Sequence, residues 1–226
     1  MTPYYEDDLV TLYHGDGRAA GVVEGVVMTD PPYNVGYHYA SYEDRLSDTD
    51  YLSLLGVTCR APSVVIQYPE PMFSIARAIG MDPSKVVSWV YNANTPRQWR
   101  SVAWFGIAPD LSLVRQPYKN PTDRRIAALI ASGSEGPSVY DWWHIDQVKN
   151  VSDEKVGHPC QVPLELMARI IAVTPAETIV DPFAGSGTTL RAAKDAGRRA
   201  IGFEMDESYC EMAAVRLSQE VLMLSY

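Results

Sequence analysis

Short apolar runs punctuate the chain at Val10–His14, Val22–Thr29, Ser63–Tyr68, Lys85–Tyr91, Thr178–Asp181 and Arg199–Phe203. Most are continuous rather than alternating, the pattern of strands buried on both faces. Helical spacing fills several of the gaps. Asp48–Arg60 carries Tyr51, Leu54, Leu55 and Thr58 at helical intervals, Pro71–Ile79 is a second helix, and Val162–Val173 aligns Leu166, Ile170 and Val173. Thr188–Ala196 stops at Gly197, which suits a helix C-terminus, and Asp206 can cap a last helix running to about Leu222. Strands alternating with helices predict an α/β domain with a mainly parallel sheet over residues 1–226. The rhythm breaks between Asn92 and Gly157, a stretch rich in Pro, Trp, Tyr, Gly and Ser with one predicted helix at Asp123–Ala131. We read 92–157 as an irregular insert, and long inserts in such domains are often functional. Residues 34–47 form a second, Tyr-rich loop.

Two segments carry chemistry. The second apolar run ends in Asp30-Pro31-Pro32-Tyr33, where an open α/β sheet places its ligands. The carboxylate and a proline carbonyl can accept hydrogen bonds from an amino group, the prolines fix the backbone, and the ring can stack on a planar base. Alone, this is also the sequence of an ordinary turn. The second segment is Asp181-Pro182-Phe183-Ala184-Gly185-Ser186-Gly187-Thr188-Thr189, a glycine turn between strand and helix. No Lys follows the glycines, so it is not a phosphate-binding P-loop. The next strand leads into Glu204, placed to bind ribose hydroxyls. A glycine turn and a ribose acid without a phosphate anchor point to a nucleoside such as S-adenosyl-L-methionine.

Composition narrows the partners. The chain is 46% apolar and 21% charged, ordinary for a globular protein. No apolar run is long enough to cross a bilayer and the first residues lack a signal-peptide pattern, so a cytoplasmic location is expected. Cys59, Cys160 and Cys210 are odd in number and far apart, and the four histidines are scattered, so neither disulfide nor metal is expected. A net charge of −9 weighs against nucleic acid, but its distribution does not. Residues 1–91 hold 5 basic and 12 acidic residues, whereas 92–125 hold 6 basic and 2 acidic. That segment reads either as a solvated loop or as a nucleic-acid contact through Arg97, Arg100, Lys119, Arg124 and Arg125.

With both motifs in view, the chain resembles the amino-group DNA methyltransferases of the permuted, beta-type arrangement, in which the catalytic tetrapeptide precedes the glycine turn. His14-Gly15-Asp16-Gly17 and the segment from His158-Pro159 to Met167 resemble further elements of that family. The resemblance implies a Rossmann-like class I methyltransferase fold and S-adenosyl-L-methionine as methyl donor. It implies that Asp30 and the Pro31 carbonyl hold the target amine, that Pro32 fixes the loop and that Tyr33 stacks on the base. On the donor side it implies Asp16 and Glu204 at the adenosine and ribose, with Met205 beside them. Phe183, Ala184, Gly185, Ser186, Gly187 and Thr188 would hold the methionine part, and His158 and Pro159 would lead into the site. Asp30 borders both halves, and Asp181 contacts the donor or braces the turn. The implied partner is double-stranded DNA with a flipped base, read by 92–157; a homodimer is open. Asp30 tilts the target toward adenine N6, with cytosine N4 the alternative and a non-catalytic cofactor- or DNA-binding module the reading from another class. Restriction-modification, orphan regulation and phage protection in a bacterial host are all compatible.

Overall fold

Each apolar run becomes a strand in the computed structural model, which describes residues 1–219 apart from 39–41, 43, 150, 151 and 153. In chain order the elements are β1 (Tyr5–Glu6), β2 (Val10–His14), β3 (Val26–Thr29), α1 (Asp48–Thr58), β4 (Ser63–Gln67), α2 (Met72–Ile79), β5 (Lys85–Val90), β6 (Trp99–Phe105), α3 (Arg124–Ala131), β7 (Trp142–His144), α4 (Leu164–Val173), β8 (Thr178–Asp181), α5 (Thr188–Asp195), β9 (Arg199–Glu204) and α6 (Glu207–Ser218). The strands form one sheet in the order β1-β2-β9-β8-β3-β4-β6-β5-β7. From β2 to β4 every pairing is parallel, and β5 and β7 are parallel to each other. β1 and β6 run against their neighbours. Carboxyl ends of the parallel strands therefore gather on one side. This is the mainly parallel sheet with flanking helices that a class I methyltransferase fold would require.

All five residues of β4 are buried, as continuous apolar runs require. Leu166, Met167, Ile170, Ile171 and Val173 of α4 are likewise buried against the sheet. Asp206 caps α6 by accepting from the Ser208 amide at 2.9 Å. The last residues expected in that helix, 220–222, lie outside the described residues.

Two expectations need correction. The run from Val22 does not begin as strand: residues 17–22 form a 3₁₀ turn capped by Asp16, and β3 starts at Val26. More consequentially, the segment 92–157 is not one irregular insert. β6 lies within it and is a central strand, wedged between β4 and β5 with Val102, Ala103, Trp104 and Phe105 fully buried. The Trp104 indole donates to Thr174 Oγ1 at 2.9 Å, pinning β6 to the end of α4. β7 adds a further strand beside β5. The longest irregular part left lies between β6 and β7, where α3 stands with no buried residue, with shorter ones before β6 and after β7.

Candidate active site

Four strand ends and one strand start build a cleft of about 620 Å³. β3 delivers Asp30, β4 delivers Gln67 and Tyr68, β8 delivers Asp181, and β9 delivers Glu204. β6 runs the other way, so it begins here. Its Ser101 pairs with Gln67, which sets Arg100 beside Tyr68.

The tetrapeptide is held from behind. Gln67 donates to the Tyr51 hydroxyl at 2.8 Å, and that hydroxyl donates to the Pro32 carbonyl at 2.7 Å. After Tyr33 the chain bends through Asn34, whose φ of 56° is the left-handed region that Asn tolerates. Buried Asp44 accepts from the backbone amides of Asn34, Val35 and Tyr37 at 2.8–3.0 Å. The Tyr33 hydroxyl donates to Asp30 Oδ1, and the Tyr33 ring meets Tyr68 edge to face at 4.8 Å. Burial pushes the Asp30 carboxyl up to about 6, against the pull of the Arg100 guanidinium and the Tyr33 hydroxyl.

The glycine turn forms the other half. Glu204 accepts from the Gly185 amide through Oε2 and from the Asp206 amide through Oε1, both at 2.8 Å. Burial nevertheless raises its carboxyl above the usual range. Gly185 sits at φ +52°, and a Cβ there would come 3.3 Å from His158 Nε2. Gly17 packs closer still: a Cβ would fall 2.1 Å from the Pro182 carbonyl oxygen, so the 3₁₀ turn and the glycine turn touch only because residue 17 is glycine. Burial, reinforced by Lys155, pushes His158 down to about 4, which keeps it neutral. Its Nδ1 is buried without a hydrogen-bond partner. A turn with no Cβ at Gly185, a half-satisfied carboxylate and an orphaned imidazole nitrogen fit a nucleoside with an amino-acid tail.

The expected residues divide into those that face the cleft and those that support it. Asp16, Asp30, Pro31, Pro32, Tyr33, His158, Phe183, Gly185, Glu204 and Met205 line it. Asp16 does so while ion-paired to Arg18. Asp181 lies behind, accepting from the Thr29 hydroxyl at 2.7 Å and the Phe183 amide at 3.0 Å, so it braces the turn. Ala184, Ser186 and Thr188 are buried, and Thr188 accepts from Arg216 at 2.8 Å. Pro159 is exposed beside His158.

The basic residues do not form one surface. Arg100 stands apart from the others: its side chain is only 17% exposed and points into the cleft, with NH1 4.0 Å from Asp30 Oδ2. Arg97 caps the Tyr68 ring at 4.3 Å. Lys119 lies at the outer edge of the sheet, over Tyr140 and Trp142. Arg124 and Arg125 are exposed on α3. Tyr68 lines the cleft without having been singled out in the sequence, and Arg100 enters it from the start of β6, a strand whose residues from Ser101 to Phe105 are buried on both faces and so carry no alternation that would have aimed it. Among the described residues no group of side chains could hold a metal ion, and no helix is long and apolar enough to cross a membrane.

Comparison with known proteins agrees with this geometry. A family model described as DNA methylase (N6_N4_Mtase) matches residues 61–215. The type II methyltransferase M.ScaI of Streptomyces caespitosus is 31% identical over 260 aligned residues, covering 96% of this chain and 84% of that protein. The DNA adenine methyltransferase YhdJ of Escherichia coli K12 is 26% identical, covering 94% and 84%. Among solved structures, the cytosine-N4-specific PvuII DNA methyltransferase superposes with a TM-score of 0.66 at 17% identity, covering 97% of this chain and 90% of that one. The M1.HpyAVI–SAM complex gives 0.61 at 20% identity, covering 93% and 100%.

Proposed function

The chain belongs to the DNA methylase family, and from that premise we propose that it methylates the exocyclic N6 amine of adenine in double-stranded DNA. It is an amino-methyltransferase, and its methyl donor is S-adenosyl-L-methionine, which supplies an electrophilic methyl group. The observation that carries the finer reading is the Asp30 carboxylate, held at a strand end beside the Tyr33 ring in the same cleft as the Gly185–Glu204 cradle.

The amine is a poor nucleophile because its lone pair delocalises into the ring. Asp30 and the Pro31 carbonyl accept its two hydrogens, which draws the nitrogen toward a tetrahedral form and frees the lone pair. Tyr33 stacks on the base, which must leave the duplex at a cost of a few kcal/mol. Glu204 and Asp16 orient the donor through its ribose and adenosine, and the Phe183–Gly187 turn holds the methionine part. Positioning then supplies much of the rate. Positive charge grows on the nitrogen as the new bond forms, and the Asp30 carboxylate stabilises it. With its carboxyl near 6, Asp30 is also matched to take up the proton that the methylated nitrogen sheds.

The test is expression in a methylation-free host followed by modification-sensitive sequencing. N6-methyladenine at one short motif is expected. N4-methylcytosine would overturn the base, and unmodified DNA would favour the non-catalytic module. Asp30→Ala should abolish the signal while leaving donor affinity, measured by calorimetry, within a few-fold of wild type; undiminished methylation would remove Asp30 from the chemistry.

A further inference from the structure

Arg100 is surplus to the chemistry just derived, yet it occupies the centre of the cleft. Its guanidinium carbon lies 4.9 Å from the Tyr33 ring centroid, 5.1 Å from Trp89, 5.6 Å from Tyr68 and 5.7 Å from Tyr91. The rings come from the tetrapeptide, from the residue after β4 and from the end of β5 with the residue after it, so three separate chain segments converge on one ion. The nearest carboxylate oxygen is Asp30 Oδ2 at 4.0 Å. Arg100 Nε is buried without a hydrogen-bond partner. A donor left unsatisfied inside a protein is costly and calls for a compensating purpose. Aromatic faces accommodate a planar cation, and the Tyr33 ring is also where the base would stack.

We propose that Arg100 is the positioning residue for Asp30: before DNA arrives it holds the carboxylate charged and oriented from its aromatic cage, and it yields the Tyr33 ring when the base stacks there. This rests on the reading of Asp30 as the catalytic carboxylate. A buried carboxylate tends to take up a proton and so lose the form that accepts hydrogen bonds from an amine. A fixed cation opposes that. It would also oppose the positive charge that grows on the methylated nitrogen, so its service belongs to the free enzyme, the species whose ionisation kcat/KM reports. Among the described residues, the other titratable groups facing Asp30 are Asp181 at the end of β8 and the phenols of Tyr33 and Tyr51. Tyr68 and Tyr91 join them around Arg100. Burial holds the phenols of Tyr33, Tyr51 and Tyr91 above their usual range, and Asp181 is present in every variant.

The experiment is the pH profile of kcat/KM for DNA methylation by the full chain. In the wild type the acid limb should lie near pH 6, where Asp30 titrates. Arg100→Met and Arg100→Gln remove the cation while filling the cage, and should move that limb up by about 1–3 pH units. For a shift of about 2 units, activity at pH 7 drops roughly tenfold and returns as the pH is raised to 9. Arg100→Lys should keep the limb closer to the wild type than either neutral variant does. Circular dichroism and donor affinity establish which variants are folded, and either neutral variant suffices. An acid limb that coincides with the wild type in a folded neutral variant, or a loss equal at every pH, would overturn the proposal. Asp30→Asn separates the premises: if it retains activity, the reading of Asp30 fails, whatever Arg100 does.

Discussion

Glu204 braces the glycine turn with one carboxylate and, in the proposed reading, binds the donor with what that leaves free. Its two oxygens each accept a backbone amide, from Gly185 and from Asp206, and so tie the glycine turn to the first turn of α6. Those bonds use one lone pair on each oxygen, and the remaining ones are available to ribose hydroxyls. Hydrogen bonds to a charged acceptor contribute about 1.5–3 kcal/mol each. Glu204→Ala should therefore weaken donor binding by at least about tenfold, and Glu204→Gln by less, because the amide keeps one acceptor oxygen. Calorimetry on the free protein reads this directly, and an unchanged dissociation constant in the alanine variant would take Glu204 out of the donor site. At this scale the sequence was largely legible. Asp30, Tyr33, Gly185 and Glu204 all reach the cleft because each sits within four residues of the end of an apolar run, where the end of a buried strand fixes its position. Asp181 has the same placement, but its partner, Thr29, lies 152 residues away on β3. Nothing local distinguishes a carboxylate that faces a ligand from one that braces a turn.

The elements tell a different story, because propensity is local and a sheet is not. Strands β2, β4, β5, β8 and β9 were marked by apolar runs that need no context. β6 was hidden, since Trp99-Arg100-Ser101 opens it with polar and exposed character in a region full of Trp, Pro and Gly. Its pairing partners on both sides, β4 and β5, make it a strand. What binds it to the helical layer is the Trp104 indole on Thr174 Oγ1, a buried acceptor whose own hydroxyl already donates to the Ile170 carbonyl at 2.7 Å. Trp104→Phe keeps an aromatic ring but leaves that oxygen one bond short and removes volume from a fully buried position. We expect it to cost about 1–3 kcal/mol of folding stability, visible as a lower urea midpoint at constant slope. A midpoint equal to that of the wild type would show that β6 is held by the ladder alone.

At the scale of the whole molecule the difficulty is electrostatic: a chain of net charge −9 must bind a polyanion. The fold solves part of this by segregation. Arg100 is withdrawn into the cleft to serve Asp30, which leaves Arg97 at the cleft mouth, stacked on Tyr68, and Arg124 with Arg125 on the exposed start of α3. Each phosphate contact releases condensed counterion, so the slope of log affinity against log salt counts the cations engaged. Arg97→Ala should make that slope shallower by about one unit, and Arg124→Ala with Arg125→Ala by about two. Arg100→Met should lower catalysis while leaving the slope unchanged, because its charge is spent on a carboxylate and not on phosphate. Fluorescence anisotropy on a DNA duplex between low and moderate salt separates these cases. A shallower slope in the Arg100 variant would place its charge on the DNA, and unchanged slopes in the other two would make the basic segment a solvated face.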